Sequence, residues 1–559
     1  MAFAITQTCC NDASCVSVCP VNCIHPTPDE PGFGTTEMLH VDPQTCIDCG
    51  ACADACPVDA IYPVDRLRGS DTIYADINKR YYTEHPEIDN TWSAPHFPRA
   101  LPRDVAPLRV AVVGTGPAAG YTARALLLSA GAEVTMIDRL PVPGGLVRSG
   151  VAPDHPATKK IGESFEVLYR HPKMRMHMNV EVGKDIRHSE IAAHHHAVVY
   201  AVGAATDRAL GIPGEGKANS ISATEFVAWY NGHPDVSAGA IDLSAKRAVI
   251  VGNGNVALDV ARILVSDPQS LTTTDIADHA LEALRTSAVR EVFLLARRGP
   301  EHAAYSRPEF LALKHLPGVD VVVDDHAHVR ETISRAPAGS KAALLNDLEI
   351  IKLDGGAPPP EGRRIVLRFL SSPIALGGDA HVDSVRIGTN VVREHDGVPY
   401  VDPTGEEDVL AAGLVLRSVG YRGSPIADLP FDATTATVPN EAGRVIDPDS
   451  GEAVPRTYVA GWIKRGPSGG IGANRTCAAE TVETLMEDAA EHQLPAPTGS
   501  AKDFATLVRR RKPDAIGRRQ MLAIEHAERQ RGLDTGRPRV KFSTFADLLQ
   551  AGKQRRRRS

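Results

Sequence analysis

Cysteines form the densest group of reactive side chains in this sequence. Nine of the ten cysteines fall between residues 9 and 56, and the tenth is Cys477. In a reducing compartment such crowding indicates metal or redox chemistry more often than disulfide bonds. Four of them follow the pattern CxxCxxCxxxCP, namely Cys46, Cys49, Cys52 and Cys56. That spacing places three thiolates on one iron–sulfur cluster and sends the fourth to another.

An earlier run repeats this frame with one change. Asp12 stands where the second cysteine would be, so the run is CxxDxxCxxxCP. Over about residues 1–65 the two runs resemble the bacterial two-cluster ferredoxins, in which the fourth cysteine of a run crosses to the other cluster. The resemblance implies one [4Fe-4S] cluster on Cys19, Cys46, Cys49 and Cys52. The other cluster would be held by Cys9, Cys15 and Cys56, with the Asp12 carboxylate at its fourth corner.

The cluster on Cys9, Cys15 and Cys56 has two possible forms. Three thiolates suit a [3Fe-4S] cluster, which we expect, but Asp12 could hold a fourth, exchangeable iron in an Asp-ligated [4Fe-4S] cluster. Cys10 and Cys23 fall outside the frame and are expected to be small buried residues, although a one-residue slip would let Cys10 replace Cys9. Structural zinc sites are the competing interpretation, but they rarely use eight positions in this frame with both Cys-Pro dipeptides.

Charge is distributed unevenly along the chain. Residues 1–65 carry nine acidic side chains and no Lys or Arg. Such a field would steer this domain toward a basic surface, although the acids could also serve only solubility. The segment 66–107 has scattered prolines, aromatics and charges without a sustained period, which predicts a partly ordered linker.

A glycine turn follows the linker. Residues 110–113 predict a buried strand, after which Gly114 and Gly116 let the backbone turn tightly and approach a pyrophosphate. Ala119 is small enough for the next helix to pack close to the sheet, and the N-terminus of that helix favours phosphate. The next predicted strand ends at Asp138, about 20 residues further on, where an acid holds a ribose hydroxyl.

A second turn repeats this pattern 138 residues later. A predicted strand over 248–251 leads into Gly252, Asn253, Gly254 and Asn255. The separation suits two successive dinucleotide-binding domains rather than two halves of one fold. Another predicted strand, 291–295, is followed by Arg297 and Arg298, whose forked donors suit a 2′-phosphate and therefore favour NADPH over NAD.

Two longer stretches make the resemblance specific: LPVPGGLVRSGVAPDHP over 140–156 and YVAGWIKRGPSGGIGAN over 458–474. Residues 108–550 are similar to the adrenodoxin-reductase type of ferredoxin–NADP reductase. The resemblance implies that the first turn binds FAD, with Asp138 on its ribose, and that the second binds NADP(H), with help from Glu309. The second acid that the family often has one turn later is Ala312 here, which weakens a proton relay at that turn.

The same resemblance assigns residues around the flavin. Gly145, Leu146 and Val147 would pass beside the ring, and Gly469, Gly470 and Ile471 would bring backbone amides to its pyrimidine end. His155 and Trp462 are the predicted catalytic residues beside flavin and nicotinamide. The alternative for His155 is a loop histidine that only braces backbone.

The predicted fold class is an α+β ferredoxin domain followed by an α/β flavoprotein with two dinucleotide-binding domains. The expected divisions are a ferredoxin domain (1–65), a linker (66–107), an FAD-binding domain (108–208 and 413–495), an NADP-binding domain (209–412) and a C-terminal helical segment with a basic tail (496–559). In this scheme residues 414–423 and 458–474 are the motifs with which the chain returns to the flavin, called here the flavin-closing motifs.

Composition and charge disfavour two classes of protein, nucleic-acid-binding proteins and membrane proteins. A formal net charge of −8 gives no support to nucleic-acid binding, and neither an apolar run of bilayer length nor a signal peptide is present, so we expect a cytoplasmic protein without membrane insertion. Cys477 has no second cysteine nearby, which disfavours thiol–disulfide chemistry. The resemblance implies a ferredoxin–NADP⁺ reductase that passes electrons between NADPH, FAD and its clusters to an external ferredoxin or cytochrome. The alternatives are an electron-input subunit of a larger synthase and an iron–sulfur redox sensor.

Overall fold

Residues 2–92, 101, 105, 107–396 and 398–553 are described by the computed structural model. The strands are β1 (Phe3–Ile5), β2 (Ile24–His25), β3 (His40–Val41), β4 (Ile61–Pro63), β5 (Arg109–Val113), β6 (Glu133–Asp138), β7 (Met174–Met178), β8 (Ala197–Tyr200), β9 (Thr206–Asp207), β10 (Ser220–Ser222), β11 (Arg247–Val251), β12 (Glu291–Leu295), β13 (Val319–Asp324), β14 (Glu349–Ile351), β15 (Arg363–Arg368), β16 (Ser371–Gly377), β17 (Ser384–His395), β18 (Val398–Ala411), β19 (Leu414–Arg417), β20 (Tyr421–Arg422), β21 (Asn440–Glu441), β22 (Arg444–Ile446), β23 (Ala453–Val459) and β24 (Ile516–Gly517).

The helices are α1 (Ala51–Ala55), α2 (Ile73–Glu84), α3 (Pro117–Leu128), α4 (Gly145–Ser149), α5 (Pro156–Lys159), α6 (Ile161–Tyr169), α7 (His188–Ala192), α8 (Ala223–Tyr230), α9 (Asn255–Val265), α10 (Asp278–Arg285), α11 (Arg307–Lys314), α12 (Val329–Ser334), α13 (Trp462–Arg465), α14 (Ala473–Ala490), α15 (Ala501–Arg511), α16 (Arg518–Leu533) and α17 (Phe545–Lys553). The chain divides into two units. The first comprises residues 1–151, 155–206 and 421–559, and the second comprises residues 152–154 and 207–420.

The N-terminal part of the first unit is a small α+β module. β1 pairs with β4 and β2 with β3, both antiparallel. α2 belongs to this module, because the buried Asn78 accepts hydrogen bonds from the amides of Ile5 (3.2 Å) and Val41 (2.8 Å). The prediction of a linker from residue 66 is therefore wrong for α2, whose anchoring side chain is polar and gives no apolar period. Residues 93–100, 102–104 and 106 of that segment lie outside the described residues.

The rest of the first unit is built on an eight-stranded sheet in the order β21-β22-β23-β8-β5-β6-β7-β24. β5 lies at its centre, parallel to β6 and β8, and its apolar residues 110–113 are buried. α3 packs against α14 over this sheet. A continuous hydrophobic core joins the sheet to the N-terminal module, since Ile5 and Val110 belong to the same cluster of buried residues.

The second unit contains a parallel seven-stranded sheet in the order β10-β19-β11-β12-β15-β13-β14 and an antiparallel sheet of β16, β17 and β18. β19 pairs with β10 and β11, so residues 414–417 complete this sheet. The prediction that they belong to the flavin-closing part of the chain is therefore wrong. An apolar strand that is buried on both faces fits either parallel sheet equally well. Its pattern therefore cannot specify which sheet it joins.

The C-terminal segment is helical, as predicted, and contains α15, α16 and α17. The predicted basic tail, Arg555–Arg558, lies outside the described residues. Among the helices that the structure describes, none has the length and apolar character needed to cross a bilayer.

Candidate functional sites

The first glycine turn forms a cradle at the end of β5. Gly114 has φ +107°, and a Cβ there would lie 2.5 Å from the carbonyl oxygen of Ala201, so only glycine fits. A Cβ on Gly145 would lie 2.7 Å from Cα of Gly116, which means that the two backbone segments touch. Ala119 is fully buried in α3. This close backbone approach is what a pyrophosphate site requires.

Asp138 lies at the end of β6 in the same cradle. Its Oδ2 accepts a hydrogen bond from the Thr115 hydroxyl (2.5 Å), and its Oδ1 accepts one from the Leu140 amide (2.9 Å). Burial raises the pKa of Asp138. The carboxylate is therefore fixed by two donors at the position where a ribose hydroxyl is expected. Thr115 could not be selected from the sequence, because the glycine pattern sets no residue type at that position.

The segment Gly145–Val147 is the first part of α4, which is joined by an ion pair to a residue far along the chain. Arg148 donates two hydrogen bonds to Glu528 on α16, at 2.8 Å and 2.6 Å. Glu528 is fully buried, and the Arg148 guanidinium lowers the pKa of this carboxyl against the effect of burial. Leu146 is half-buried and Val147 is buried. His155, also half-buried, immediately precedes α5.

The flavin-closing motif 458–474 contains α13 and ends in the first turn of α14. Trp462 is half-buried, its indole N–H donates to the carbonyl of Ser468 (3.1 Å), and its ring lies 5.2 Å from that of Tyr421. The side-chain amide of Asn474 donates to the carbonyls of Gly470 (3.2 Å) and Ile471 (3.1 Å). These bonds hold the loop 468–472, in which Gly469 and Gly470 are exposed. Asn474 is a further residue of the site, which the motif spacing alone did not indicate.

The second glycine turn has the same construction. Gly252 has φ +121°, and a Cβ there would lie 2.2 Å from the carbonyl oxygen of Ser418. Gly254 precedes α9. Asn255 Oδ1 accepts a hydrogen bond from the Ser306 amide (2.8 Å), which ties the turn to the segment before α11. Asn253 Nδ2 is buried and has no partner among the described residues, so it is a donor suited to a bound nucleotide.

Arg297 and Arg298 follow β12 at the end of the parallel sheet. Their carbonyls accept hydrogen bonds from the Asn390 side chain (2.9 Å) and the Leu370 amide (3.0 Å), which fix the backbone. The Arg297 side chain is exposed and that of Arg298 is half-exposed, so both guanidinium groups can reach a phosphate from solvent. Glu309 is half-buried on α11.

Arg262, on α9 of the second unit, is a residue that the sequence analysis missed. It is buried and pairs with Asp154 (2.6 Å) and Asp259 (2.7 Å). Buried arginines need such partners, because an unpaired charge there is costly. The pairing attaches residues 152–154 to α9.

The predicted iron ligands surround two separate cavities in the N-terminal module. We call the group Cys9, Asp12, Cys15 and Cys56 the first site; its members line one cavity. The second site is the group Cys19, Cys46, Cys49 and Cys52, whose members line the other cavity. The structure thus groups the side chains as the crossed ferredoxin pattern implies. Cys10 borders the first cavity and Cys23 the second.

Both sites have the donors that iron–sulfur clusters require. Burial raises the pKa of Cys9 and Cys52 to about 11, so cluster assembly at these thiols must displace protons. A hydrogen bond from the Cys23 thiol lowers the pKa of Cys19. The Cys23 amide donates to Cys19 Sγ (3.4 Å) and the Ala60 amide to Cys56 Sγ (3.2 Å). Amide donors to sulfur are one means by which proteins tune cluster potentials.

Comparison with known proteins agrees with this arrangement. Residues 108–294 match the family model described as pyridine nucleotide-disulphide oxidoreductase, and residues 39–62 match the 4Fe-4S binding domain. A probable ferredoxin/ferredoxin–NADP reductase of Mycobacterium tuberculosis is 50% identical over 565 residues, covering 99% of this chain and 95% of that protein. The mitochondrial NADPH:adrenodoxin oxidoreductase of Arabidopsis thaliana is 40% identical over 466 residues, covering 80% of this chain and 95% of that protein.

Among solved structures, FprA from Mycobacterium tuberculosis in complex with NADPH matches with a TM-score of 0.74 and 42% identity. The match covers 80% of this chain and 100% of that one. These comparisons confirm the predicted fold class, a ferredoxin-like region followed by a flavoprotein with two dinucleotide-binding domains.

Proposed function

Since the chain belongs to the family of fused ferredoxin/ferredoxin–NADP reductases, it is an NADPH- and FAD-dependent oxidoreductase, and we propose that it reduces its own two clusters and then an external protein. One NADPH and two oxidised acceptors give NADP⁺, a proton and two reduced acceptors. Two dinucleotide cradles and two thiolate-lined cavities in one polypeptide support this proposal.

FAD supplies the conversion from hydride transfer to single-electron transfer, because a nicotinamide releases two electrons together and a cluster accepts one. Gly114 and Gly116 would admit the pyrophosphate, and Asp138 would hold the ribose. The amides of residues 469–471, held by Asn474, would stabilise negative charge at the pyrimidine end of the reduced ring. His155 and Trp462 would contact the flavin and nicotinamide.

NADPH would bind at the second turn through the amides of residues 252–255 and the Asn253 side chain. Arg297 and Arg298 would select NADPH by binding its 2′-phosphate, and Glu309 would help to hold the nucleotide. Replacing both arginines by glutamine should raise the KM for NADPH about 10- to 100-fold and leave that for NADH nearly unchanged, because charge-assisted hydrogen bonds contribute about 1.5–3 kcal/mol.

For the clusters, we propose [4Fe-4S] at the second site and [3Fe-4S] at the first site, with Cys9, Cys15 and Cys56 as the three ligands. Residue 12 is aspartate, so the cysteine frame supplies three thiolates to the first site. Its carboxylate already accepts hydrogen bonds from the Tyr121 hydroxyl (2.9 Å) and the Ser14 amide (3.0 Å).

The external acceptor would be a basic one-electron carrier that meets the second site. Cys49 of that site is exposed, and the neighbouring Ile47 and Val18 are 58% and 41% exposed. Asp48 and Asp54 are exposed nearby, within a module that lacks basic residues up to position 65. Apolar contact surrounded by one sign of charge suits a transient complex with a protein of opposite charge.

The proposal is tested by mixing the full chain, loaded with FAD and clusters, with NADPH in an anaerobic stopped-flow instrument. We expect the flavin absorbance to bleach first and cluster signals to change afterwards in freeze-quenched samples measured by electron spin resonance. A basic c-type cytochrome should then be reduced at two molecules per NADPH. A preparation with full FAD and iron whose clusters stay oxidised would contradict the proposal and favour a sensor.

A further inference from the structure

The loop between two ligands of the first site is bonded to the flavin-binding part of the first unit. We call residues 10–14 the Asp12 loop. The Gly472 amide donates to the Cys10 carbonyl (2.8 Å). Arg475 Nη1 donates to the Asp12 carbonyl (2.6 Å) and to the Ser14 hydroxyl (3.1 Å). The Asp12 loop is therefore held by the start of α14, directly after the predicted flavin-contacting residues.

The Asp12 side chain takes part in the same contact. It is 4% exposed, its Oδ2 accepts from the Tyr121 hydroxyl on α3, and Arg475 Nη1 lies 3.6 Å from this oxygen. Burial and the neighbouring Asp12 carboxylate raise the pKa of Tyr121, so its hydroxyl remains a donor. A buried carboxylate needs such partners, and binding iron through the same oxygen would remove one of them.

Gly472 gives an independent indication that this contact is built into the chain. Its φ of −66° is helical and accessible to any residue, so its own conformation does not require glycine. A Cβ at this position would lie 2.1 Å from the backbone carbon and oxygen of Asn11. Glycine is needed here because the Asp12 loop occupies the space of a side chain.

Further contacts join the N-terminal module to the flavin-binding part of the first unit. The continuous hydrophobic core includes Ile5 of the N-terminal module and Tyr121 of α3, and Ile471 packs against it. Lys160 and Asp59 form an ion pair at the surface. No hydrogen bond that the structure gives for the described residues joins the cysteines of the second site to α3 or α14, so the Asp12 loop distinguishes the two sites.

We propose that the Asp12 loop is the electron-entry junction of the ferredoxin module. Tyr121 and Arg475 are positioning residues that hold the first site against the flavin-closing segment, and Asp12 serves this junction and does not ligate iron. The inference rests on the proposed function. Electrons pass one at a time from reduced FAD to the first site and then to the second site. The clusters are reduced, and oxidation of FADH⁻ to FAD breaks the N5–H bond and releases one proton to solvent.

The test uses the full-length holoprotein with Tyr121→Phe, Arg475→Gln and the double substitution. Tyr458→Phe is the matched control, because this buried tyrosine also donates to a buried aspartate, Asp488, about 20 Å further along α14 than Arg475. Arg124→Gln removes an exposed arginine from α3. Flavin reduction by NADPH should be unchanged in all variants. Cluster reduction should slow about tenfold in the double variant and remain at the parent rate in both controls.

Hydrogen exchange followed by mass spectrometry gives a readout that does not depend on turnover. Peptides containing residues 10–15 and 470–476 should exchange faster in the double variant than in either control. Asp12→Asn keeps an oxygen acceptor for Tyr121, so the spin-resonance spectrum and iron content of the first site should be unchanged. A changed spectrum would show that Asp12 ligates iron.

The proposal is overturned if the double variant matches the parent in both exchange and cluster reduction. Failure of the proposed function would look different. In that case NADPH would not reduce the clusters of the parent chain at all, while the exchange difference between the double variant and its controls would persist.

Discussion

The first and second sites are formed by the same cysteine frame, yet their surroundings differ. The loop of the first site is bonded to α3 and α14 through Asp12 and Cys10, whereas the second site borders solvent at Cys49 and Ile47. The first site therefore faces α3 and α14, and the second site faces solvent. The difference suggests that the substitution of Asp12 for cysteine changes the binding partner of the loop as well as the cluster.

Among the substitutions that test the difference between the two sites, Gly472→Ala should have the largest effect. The added methyl group cannot coexist with the Asn11 backbone, and overpacking of this kind costs about 1–3 kcal/mol. Cluster reduction by NADPH should slow by about tenfold or more, as measured by freeze-quench spin resonance. FAD content per chain, measured by absorbance, is the control for damage to the flavin site. A parent-like rate would show that the loop is not fixed where the structure places it.

Asp12→Cys should make the first site resemble the second. A fourth thiolate would complete the frame and convert the cluster to [4Fe-4S], which adds one iron per chain and removes the three-iron signal. The Tyr121 hydroxyl would lose its carboxylate, so reduction of the first site should also slow several-fold. Iron analysis and spin resonance measure the two effects. Retention of the three-iron spectrum would contradict the assignment of residue 12 to the fourth corner.

Ile47→Ser tests the proposal that the external acceptor binds at the second site. Partial burial of this side chain against an acceptor should contribute about 1 kcal/mol, so the KM for a basic cytochrome should rise about fivefold. Cluster reduction by NADPH should be unchanged, and the cytochrome rate should fall with added salt. Val409→Ser, at an apolar position on β18 that is 50% exposed, is the control. An effect of equal size in both variants would rule out a specific face.

Lys160→Gln should have the smallest effect. The ion pair of Lys160 with Asp59 lies at the surface, with both side chains 49% exposed, and such pairs contribute about 0.2–1 kcal/mol. Cluster reduction should change less than threefold at low salt and not measurably at high salt. A loss as large as that of the double variant Tyr121→Phe/Arg475→Gln would move the junction from the Asp12 loop to this ion pair.

Local spacing was sufficient to predict the chemistry. The cysteine frames and the two glycine turns are short patterns whose residues act together wherever they fold, and the predicted fold class is confirmed. The junction could not be predicted, because Tyr121 lies 109 residues from Asp12 and Arg475 lies 463 residues from it. α2 was missed because its anchoring side chain, Asn78, is polar. The sheet to which β19 belongs depends on pairing, which an apolar run does not encode.

The most direct test of the account is a crystal structure of the full chain with FAD and both clusters bound, in which iron is located by anomalous scattering. We predict that the cluster on Cys9, Cys15 and Cys56 lies nearer the flavin ring than the other cluster, with Asp12 hydrogen-bonded to Tyr121 and away from iron. A flavin ring nearer to the second site, or an iron atom bound by the Asp12 carboxylate, would contradict it.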